Sequence, residues 1–456
     1  MNDWFKRSYR RSLVDMHIHD WNEEFLSELD IDAYYDYLKT ANVDSAMIYL
    51  QSHVGLCYYP TESGVMHKAF RGREDAMKRL IDKCRANGIA AVGYYSLIYN
   101  TVEEDRHPEW RIVVDKVTGS SHHFGGSRYG MCCPNNAGYR DFLKAQIKEI
   151  ADFFALDGVF YDMTFWPKVC YCENCRARFE SETGIAELPD MNDLATENAM
   201  LFLRKRYEWI TEFATWVTEY TRALMPHVTV THNNAHEVAS NWLVAVSEGI
   251  SDLSEFCTGD LYGDAYMHSF AMKYYQGATK NMPFEYMTSR FAVNLQQHTL
   301  SKTPEEMSRD TLLVLAHHGA NFTIDAMDPV GTVNPKVAEL IGNAYRAQMP
   351  YEKYAKETGD CVGDVAVWYS TTGRYNTAGQ DFDNRKCAGV LAKTLITCHV
   401  PFKVMANTAT DKMGRYKMVF APAIAGLNDE QRQHSLLRGK HFRVGHKFTS
   451  DFMDSL

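Results

Sequence analysis

An alternation of apolar and helical stretches constrains this chain more than any other feature. Eight short, β-rich apolar runs read as strands near Leu13–His17, Ala46–Gln51, Ala90–Ser96, Gly158–Met163, Val228–His232, Asp252–Phe256, Phe284–Thr288 and Ala320–Asp325. Between most of them lie segments of helical period, such as Glu74–Asn87, Tyr139–Phe154 and Pro304–His318. The last two begin with residues suited to capping, and Ala86-Asn87-Gly88 suits a helix C-terminus. Eight β-then-α units over about 350 residues are the arithmetic of a (β/α)₈ TIM barrel. A doubly wound open sheet is the main competitor, and it rarely needs eight units.

The barrel is expected over residues 1–355. Near Asp360 the pattern restarts: GDVAVWYS as a strand, Lys386–Thr397 as a helix, then PFKVM and KMVFAPA as strands. That predicts a partial flavodoxin-like α/β domain over 360–456, shortened relative to a longer parent. The tail from HSLLRGKHF onward shows no periodicity.

Composition narrows the function. Of 456 residues, 45% are hydrophobic and 23% charged, as in ordinary globular proteins. Lys+Arg is 48 against Asp+Glu 58, a net charge of −10, which argues against nucleic-acid binding. The basic run Lys6–Arg11 reads as a solvated arm. No apolar run is long enough for a membrane helix, and the N-terminus has no signal-like core. The 11 cysteines, an odd number and mostly scattered, suit reduced thiols in a cytoplasm.

Polar residues fall at the expected C-terminal strand ends, where barrels carry their chemistry. They include His17, His19, His53, Tyr95, Asp162, His232, Asn233, Glu255, Glu285 and Asp325. Asp162 stands out, because an acid after the buried run Gly158–Tyr161 is costly unless it is paired or works. Glycosidic cleavage needs two carboxyl groups, and Glu285 or Glu255 is the expected partner. The His17–His19 pair admits a second reading, a catalytic metal site completed by His232 and Asp325, as in a metal-dependent amidohydrolase. The alternative is that these imidazoles and Trp21 hold sugar hydroxyls and a sugar face. A non-catalytic sugar-binding barrel is a third possibility. Finally, Cys170, Cys172 and Cys175 have CxCxxC spacing suited to zinc, with Cys133 the best fourth ligand and Cys132 next.

The stretches RYGMCCPNNAGYRDF, DGVFYDM and CYCENCRARF resemble the zinc-containing β-galactosidases of glycoside hydrolase family 42. That resemblance implies a structural zinc on Cys133, Cys170, Cys172 and Cys175, no organic cofactor, and a trimerisation domain after Asp360. Where those enzymes carry Asn-Glu, this chain has Tyr161-Asp162. An aspartate there resembles the nucleophile of retaining α-L-fucosidases of families 29 and 151, and His17, His19 and His53 are similar to fucose-hydroxyl contacts. The resemblance implies a retaining exo-glycosidase acting on an oligosaccharide or small glycoside, α-L-fucoside first and β-galactoside second. The expected catalytic set is Asp162 with Glu285 or Glu255. The expected sugar contacts are His17, His19, Trp21, His53, Tyr95, His232, Asn233, Arg290 and Asp325.

Overall fold

The computed structural model describes residues 3–114, 128–239, 242–246, 248–292, 295, 297–356, 362–371, 384–406, 412–422 and 442–443. Seven strands form one sheet: β1 (Arg10–Asp15), β2 (Ser45–Tyr49), β3 (Ala90–Ser96), β4 (Gly158–Asp162), β5 (Thr229–His232), β6 (Glu285–Ser289) and β7 (Ala320–Ala326). All neighbours are parallel, in the order β5-β4-β3-β2-β1-β7-β6. Every residue of β2, β4, β5 and β6 is buried. One face points into the barrel and the other meets helices, which is why these runs lack polar alternation.

The outer layer includes α1 (Ile31–Thr40), α2 (Ala76–Ala86), α3 (Ala137–Phe153), α4 (Glu197–Leu224), α5 (Ala265–Ala278), α6 (Pro304–Ala316) and α7 (Pro335–Gln348). Their ends follow local chemistry. Asn136 caps α3 by accepting from Tyr139 N, and Thr303 and Glu306 form a reciprocal capping box on α6. Gly88 follows α2 at φ +77°, a left-handed turn that glycine adopts without strain.

The run Asp252–Phe256, expected as a strand, is not one. Gly249–Leu253 is a short helix, and the chain then crosses the open edge of the sheet as an irregular closing segment, 254–261. On one side Glu255 N donates to Val230 O (3.0 Å) and Asn234 N to Thr258 O (2.7 Å). On the other, Glu285 N donates to Cys257 O (2.9 Å) and Leu261 N to Met287 O (3.2 Å). The ring is therefore closed, and the architecture is a (β/α)₈-type barrel with one irregular position. Side chains replace ladder bonds in this segment: Thr258 N donates to Asn234 Oδ1 and Cys257 N to Thr279 Oγ1. Gly259 runs so close to β5's exit that a Cβ would stand 2.5 Å from Ala235 N.

The floor of the barrel is a plug. The Arg11 guanidinium, fully buried, lies between the rings of Trp4 and Phe256 (5.0 and 4.8 Å) and pairs with Glu285 Oε2 at 2.8 Å. The basic run is thus not a free arm throughout, because its last member is inside the barrel.

A second parallel sheet follows, with strands β8 (Val365–Trp368), β9 (Phe402–Met405), β10 (Met418–Phe420) and β11 (Phe442–Arg443) in the order β9-β8-β10-β11. Helix α8 (Asn384–Thr397) connects β8 to β9. The short strand β11 lies in the tail expected to be aperiodic, most of which falls outside the described residues. Phe402, Val404 and Leu391 pack on Phe270 and Tyr274 of α5. Gly277 allows that approach, since a Cβ there would meet the Val404 carbonyl at 2.6 Å.

Candidate active site

The inner faces of the strands converge on a small cavity of about 80 Å³ at the C-terminal rim. Its apolar lining comes from Leu13, Phe160, Met287, Leu295 and Ile324. Its polar lining comes from Asp15, His17, Tyr49, His53 and Tyr94, with Asp162, Asn233 and Asp260.

Asp162 ends β4 and is held by neutral donors. Oδ2 accepts from Tyr94 Oη at 2.5 Å, with His53 Nε2 3.7 Å away. Oδ1 accepts from Met163 N (2.7 Å) and Asn233 Nδ2 (2.9 Å). Met163 has φ +61°, and this left-handed turn brings its N–H onto the carboxylate. No lysine or arginine pairs with Asp162 among the described residues. The Asn233 Nδ2 that holds Asp162 also donates to Asp260 Oδ1 at 2.9 Å. The two carboxylates therefore stand apart by at most twice that distance. Tyr262 Oη donates to the other oxygen of Asp260 (3.0 Å).

His17 and His53 stack at 3.9 Å. His17 Nδ1 accepts from His53 N, so its Nε2 carries the proton and donates to Tyr49 Oη, which donates to Asp15 Oδ1. Ser96 Oγ donates to Tyr99 O and so accepts from His53 Nδ1. That leaves His53 Nε2 as an acceptor facing the cavity. Burial pushes the His17 imidazole below its usual range, partly opposed by Asp15 and Asp162. Burial, then the neighbouring His17 and Arg128, pushes His53 well below it. Burial, then the Asp162 carboxylate, holds the Tyr94 hydroxyl well above its ordinary value, so it remains a donor.

The sequence reading brought His17, His53, Asp162 and Asn233 to this cavity; its other site residues lie elsewhere. Glu285 begins β6 rather than ending it, at the opposite end of the barrel, with Arg11 and Thr258 Oγ1 on its two oxygens. Glu255 pairs with Arg222 of α4 at 2.7 Å. Asp325 points outward to Tyr37 Oη (2.7 Å) and Arg290 Nε (2.6 Å), which fixes Arg290 as its partner. His232 is buried between Thr164 and Thr218, and desolvation lowers its pKa to about 3. Tyr95 faces away from the cavity, and its neighbour Tyr94 faces in. His19 stacks on exposed Trp21 at 3.9 Å, outside the cavity lining. The amidohydrolase set of His17, His19, His232 and Asp325 does not converge.

Asp15, Tyr49, Tyr94 and Asp260 are the residues that the reading missed. Period-two alternation carried a signal for two of them: Asp15 shares a strand face with Leu13 and His17, and Tyr94 alternates with Tyr95. Asp260 carried no such signal, because its segment has no regular register.

Beside the rim, Cys133, Cys170, Cys172 and Cys175 are all buried with sulfurs within 4.8 Å of one another, a cluster able to hold a metal ion. Cys133 Sγ lies 3.6 Å from both Cys172 and Cys175. Cys132 points instead toward Asn100 O.

Residues 30–163 match the family described as "Hypothetical glycosyl hydrolase 6". The likeness is to glycoside hydrolases. Among solved structures, the chain is similar to α-L-fucosidase isoenzyme 2 from Paenibacillus thiaminolyticus (TM-score 0.77, 18% identity), covering 96% of this chain and 63% of that one. It therefore spans less than two thirds of the fucosidase. A β-galactosidase from Rahnella sp. R3 gives TM-score 0.67 at 15% identity, over 91% of this chain and 67% of that one. One from Halorubrum lacusprofundi gives 0.68 at 15%, over 95% and 72%. At these identities the glycosidase likeness is one of fold. No curated protein matches the chain in sequence. No described helix is long and apolar enough to cross a membrane.

Proposed function

We propose that the chain is a retaining, exo-acting glycoside hydrolase in which Asp162 is the nucleophile and Asp260 the acid/base. The observation that carries this is the single Asn233 amide bonded to both carboxylates, because its two 2.9 Å bonds keep the bonded oxygens closer than the roughly 6.5–9.5 Å of inverting pairs and leave room for the roughly 5–5.5 Å of retaining ones. Three neutral donors hold and orient the Asp162 carboxyl group. Asp260 is half-buried, where a leaving group and then water can reach it.

In the first step Asp162 attacks the anomeric carbon, and the departing aglycone oxygen takes the proton of Asp260. In the second, Asp260 takes a proton from water, which attacks the same carbon and frees Asp162. His53 Nε2 accepts from a sugar hydroxyl, and the His17–Tyr49–Asp15 chain fixes the stacked imidazole. The small cavity, with Leu13, Phe160 and Ile324 in its lining, suits one terminal sugar. An apolar surface beside a hydroxyl-reading one suits a 6-deoxy sugar, so α-L-fucoside is the first substrate and β-galactoside the second.

The four cysteines fit zinc. A tetrahedron of Zn–S bonds about 2.3 Å long has edges of about 3.8 Å, close to the observed 3.6 Å contacts. Four thiolates leave no open position, so the ion would be structural. Arg206, fully buried beside the cluster, would offset the negative charge of a tetrathiolate site. We place the chain in a reducing cytoplasm, where the thiolates of such a site stay reduced. The second sheet is its surface for homotrimer assembly, which light scattering would test.

A panel of nitrophenyl glycosides tests the activity. Turnover of one substrate with a first-formed product of retained anomeric configuration is expected. Inversion, or no turnover across the panel, would remove the reading. Elemental analysis should find close to one zinc per chain.

A further inference from the structure

The turn that follows β5 carries two asparagines with different tasks. Ala235 N donates to Asn233 Oδ1 at 2.9 Å, which turns the Asn233 amide nitrogen toward Asp162 and Asp260. Asn234, fully buried, works on the closing segment instead. Its backbone N–H donates to Thr258 O at 2.7 Å, and its Oδ1 accepts from Thr258 N at 3.2 Å. Asn234 thus holds both backbone groups of Thr258, and the side-chain half of this splice stands in for a ladder bond. Asp260 lies two residues beyond it.

A backbone N–H can only donate, so Oδ1 is the atom of Asn234 that faces Thr258, and Nδ2 needs an acceptor on the other side. Glu237 supplies it. Its Oε1 accepts from Asn234 Nδ2 at 2.9 Å, and its Oε2 lies 2.8 Å from Ser251 Oγ and 2.9 Å from Tyr274 Oη. Glu237 and Tyr274 are fully buried. Burying a carboxyl group is costly, and the two catalytic steps make no use of this one. Burial pushes Glu237 up to about 8, against the opposing effect of the bonds from Ser251, Tyr274 and Asn234, so near neutral pH it is mainly the uncharged acid.

The two catalytic carboxylates depend on this turn unequally. Asp162 is also held by Tyr94 and by the Met163 amide, from β3 and from the exit of its own strand. Asp260 is held by Asn233 and by Tyr262, and Tyr262 rides on the same stretch of chain as Asp260. A slackened splice therefore moves Asp260 relative to Asp162. We infer that Glu237 is a positioning residue for Asp260, acting through Asn234 and Thr258. It governs the spacing of the catalytic pair and takes no part in proton transfer. The inference rests on the reading of Asp260 as the acid/base.

The test is kcat/KM per folded molecule on aryl glycosides of the best sugar, with leaving groups from dinitrophenol to phenol. Glu237→Ala removes the acceptor of Asn234. It should lower kcat/KM about tenfold or more on the phenyl glycoside, the scale of a small misplacement of a catalytic group. The dinitrophenyl glycoside should stay near wild type, because its leaving group needs no proton. Asn234→Ala breaks the splice from its other end and should give the same pattern, which covers a Glu237→Ala chain that fails to fold. Glu237→Gln should restore turnover of both substrates, since an amide replaces an uncharged acid and its Oε1 still accepts. Asp260→Asn is measured beside them. If it shows the leaving-group dependence while Glu237→Ala and Asn234→Ala lose kcat/KM equally on every substrate, or not at all, the inference is overturned and the acid/base reading stands. Glu237→Gln as impaired as Glu237→Ala also overturns it. A uniform loss in Asp260→Asn overturns both.

Discussion

At the floor of the barrel, Glu285 faces a fully buried guanidinium, sealed by Trp4 and Phe256. At the rim, Asp162 faces a phenol, a backbone amide and a side-chain amide, with no lysine or arginine paired to it among the described residues. Both are carboxylates inside one barrel, buried to similar degrees. The difference lies in the partner's charge. A guanidinium at 2.8 Å satisfies Glu285 and ties up its lone pairs, so the floor acid is a fastener. Neutral donors orient Asp162 without an ionic tie, as attack on an electron-poor carbon requires. Burial alone cannot tell the two apart.

The largest effect should come from Asp162→Asn. Loss of a nucleophile should lower kcat by about four orders of magnitude or more, with an unchanged melting curve. Near-normal turnover of the best substrate would put Asp162 on the same footing as Glu285. Asp260→Asn should cost about 10²- to 10⁴-fold, with the smaller loss on aryl glycosides whose leaving group needs no proton. A uniform loss across leaving groups would make Asp260 a positioning group.

Glu285→Gln should do the reverse. It strands Arg11 as a buried, uncompensated charge, a loss of about 3–5 kcal/mol of stability, while kcat per folded molecule stays near wild type. If activity fell and stability did not, the division between floor and rim would be wrong.

The smallest effect concerns His232, which sits at rim height but outside the cavity. Its folded pKa of about 3 lies below the ordinary 6.5, so the unfolded chain takes up the proton first as pH falls. Stability from this group is present above about pH 6.5 and is lost progressively down to about pH 3. His232→Asn should flatten that part of the acid-unfolding curve and leave kcat largely intact. An equally steep curve in the variant would shift the acid sensitivity to other groups.

The same comparison shows why some of the molecule was legible in the residues and some was not. β3 was read to its true ends, Ala90–Ser96, because an unbroken buried run has few alternatives. Asp162 was legible for the same reason. Glu285 was misplaced because the strand was begun one residue early and its acid assigned to the wrong end, although Phe284 is buried too. Asp260 was overlooked because strand position six is built from side-chain hydrogen bonds and Gly259 instead of a ladder. Glu255, five residues upstream, took its place in a segment that begins as a helix. Asp325, Arg290 and His232 were polar at the right height, but a strand has two faces, and theirs face the helices.

The plug at the floor also sets an order of assembly. Arg11 and Glu285 are 274 residues apart, and Trp4 bonds the Thr229 hydroxyl 225 residues away. During synthesis the first strand leaves the ribosome long before the acid that neutralises it or the β7 strand that pairs with it. At typical elongation rates of about 5–20 residues per second, that is an interval of many seconds. The barrel cannot form strand by strand as it emerges, because β1 lacks a neighbour on one side and its arginine lacks a counter-ion. Ring closure is a late, highly non-local event, which loop-closure entropy makes slow. A lesion in the first dozen residues would therefore act through yield and solubility of the nascent chain, at a distance from the catalytic rim.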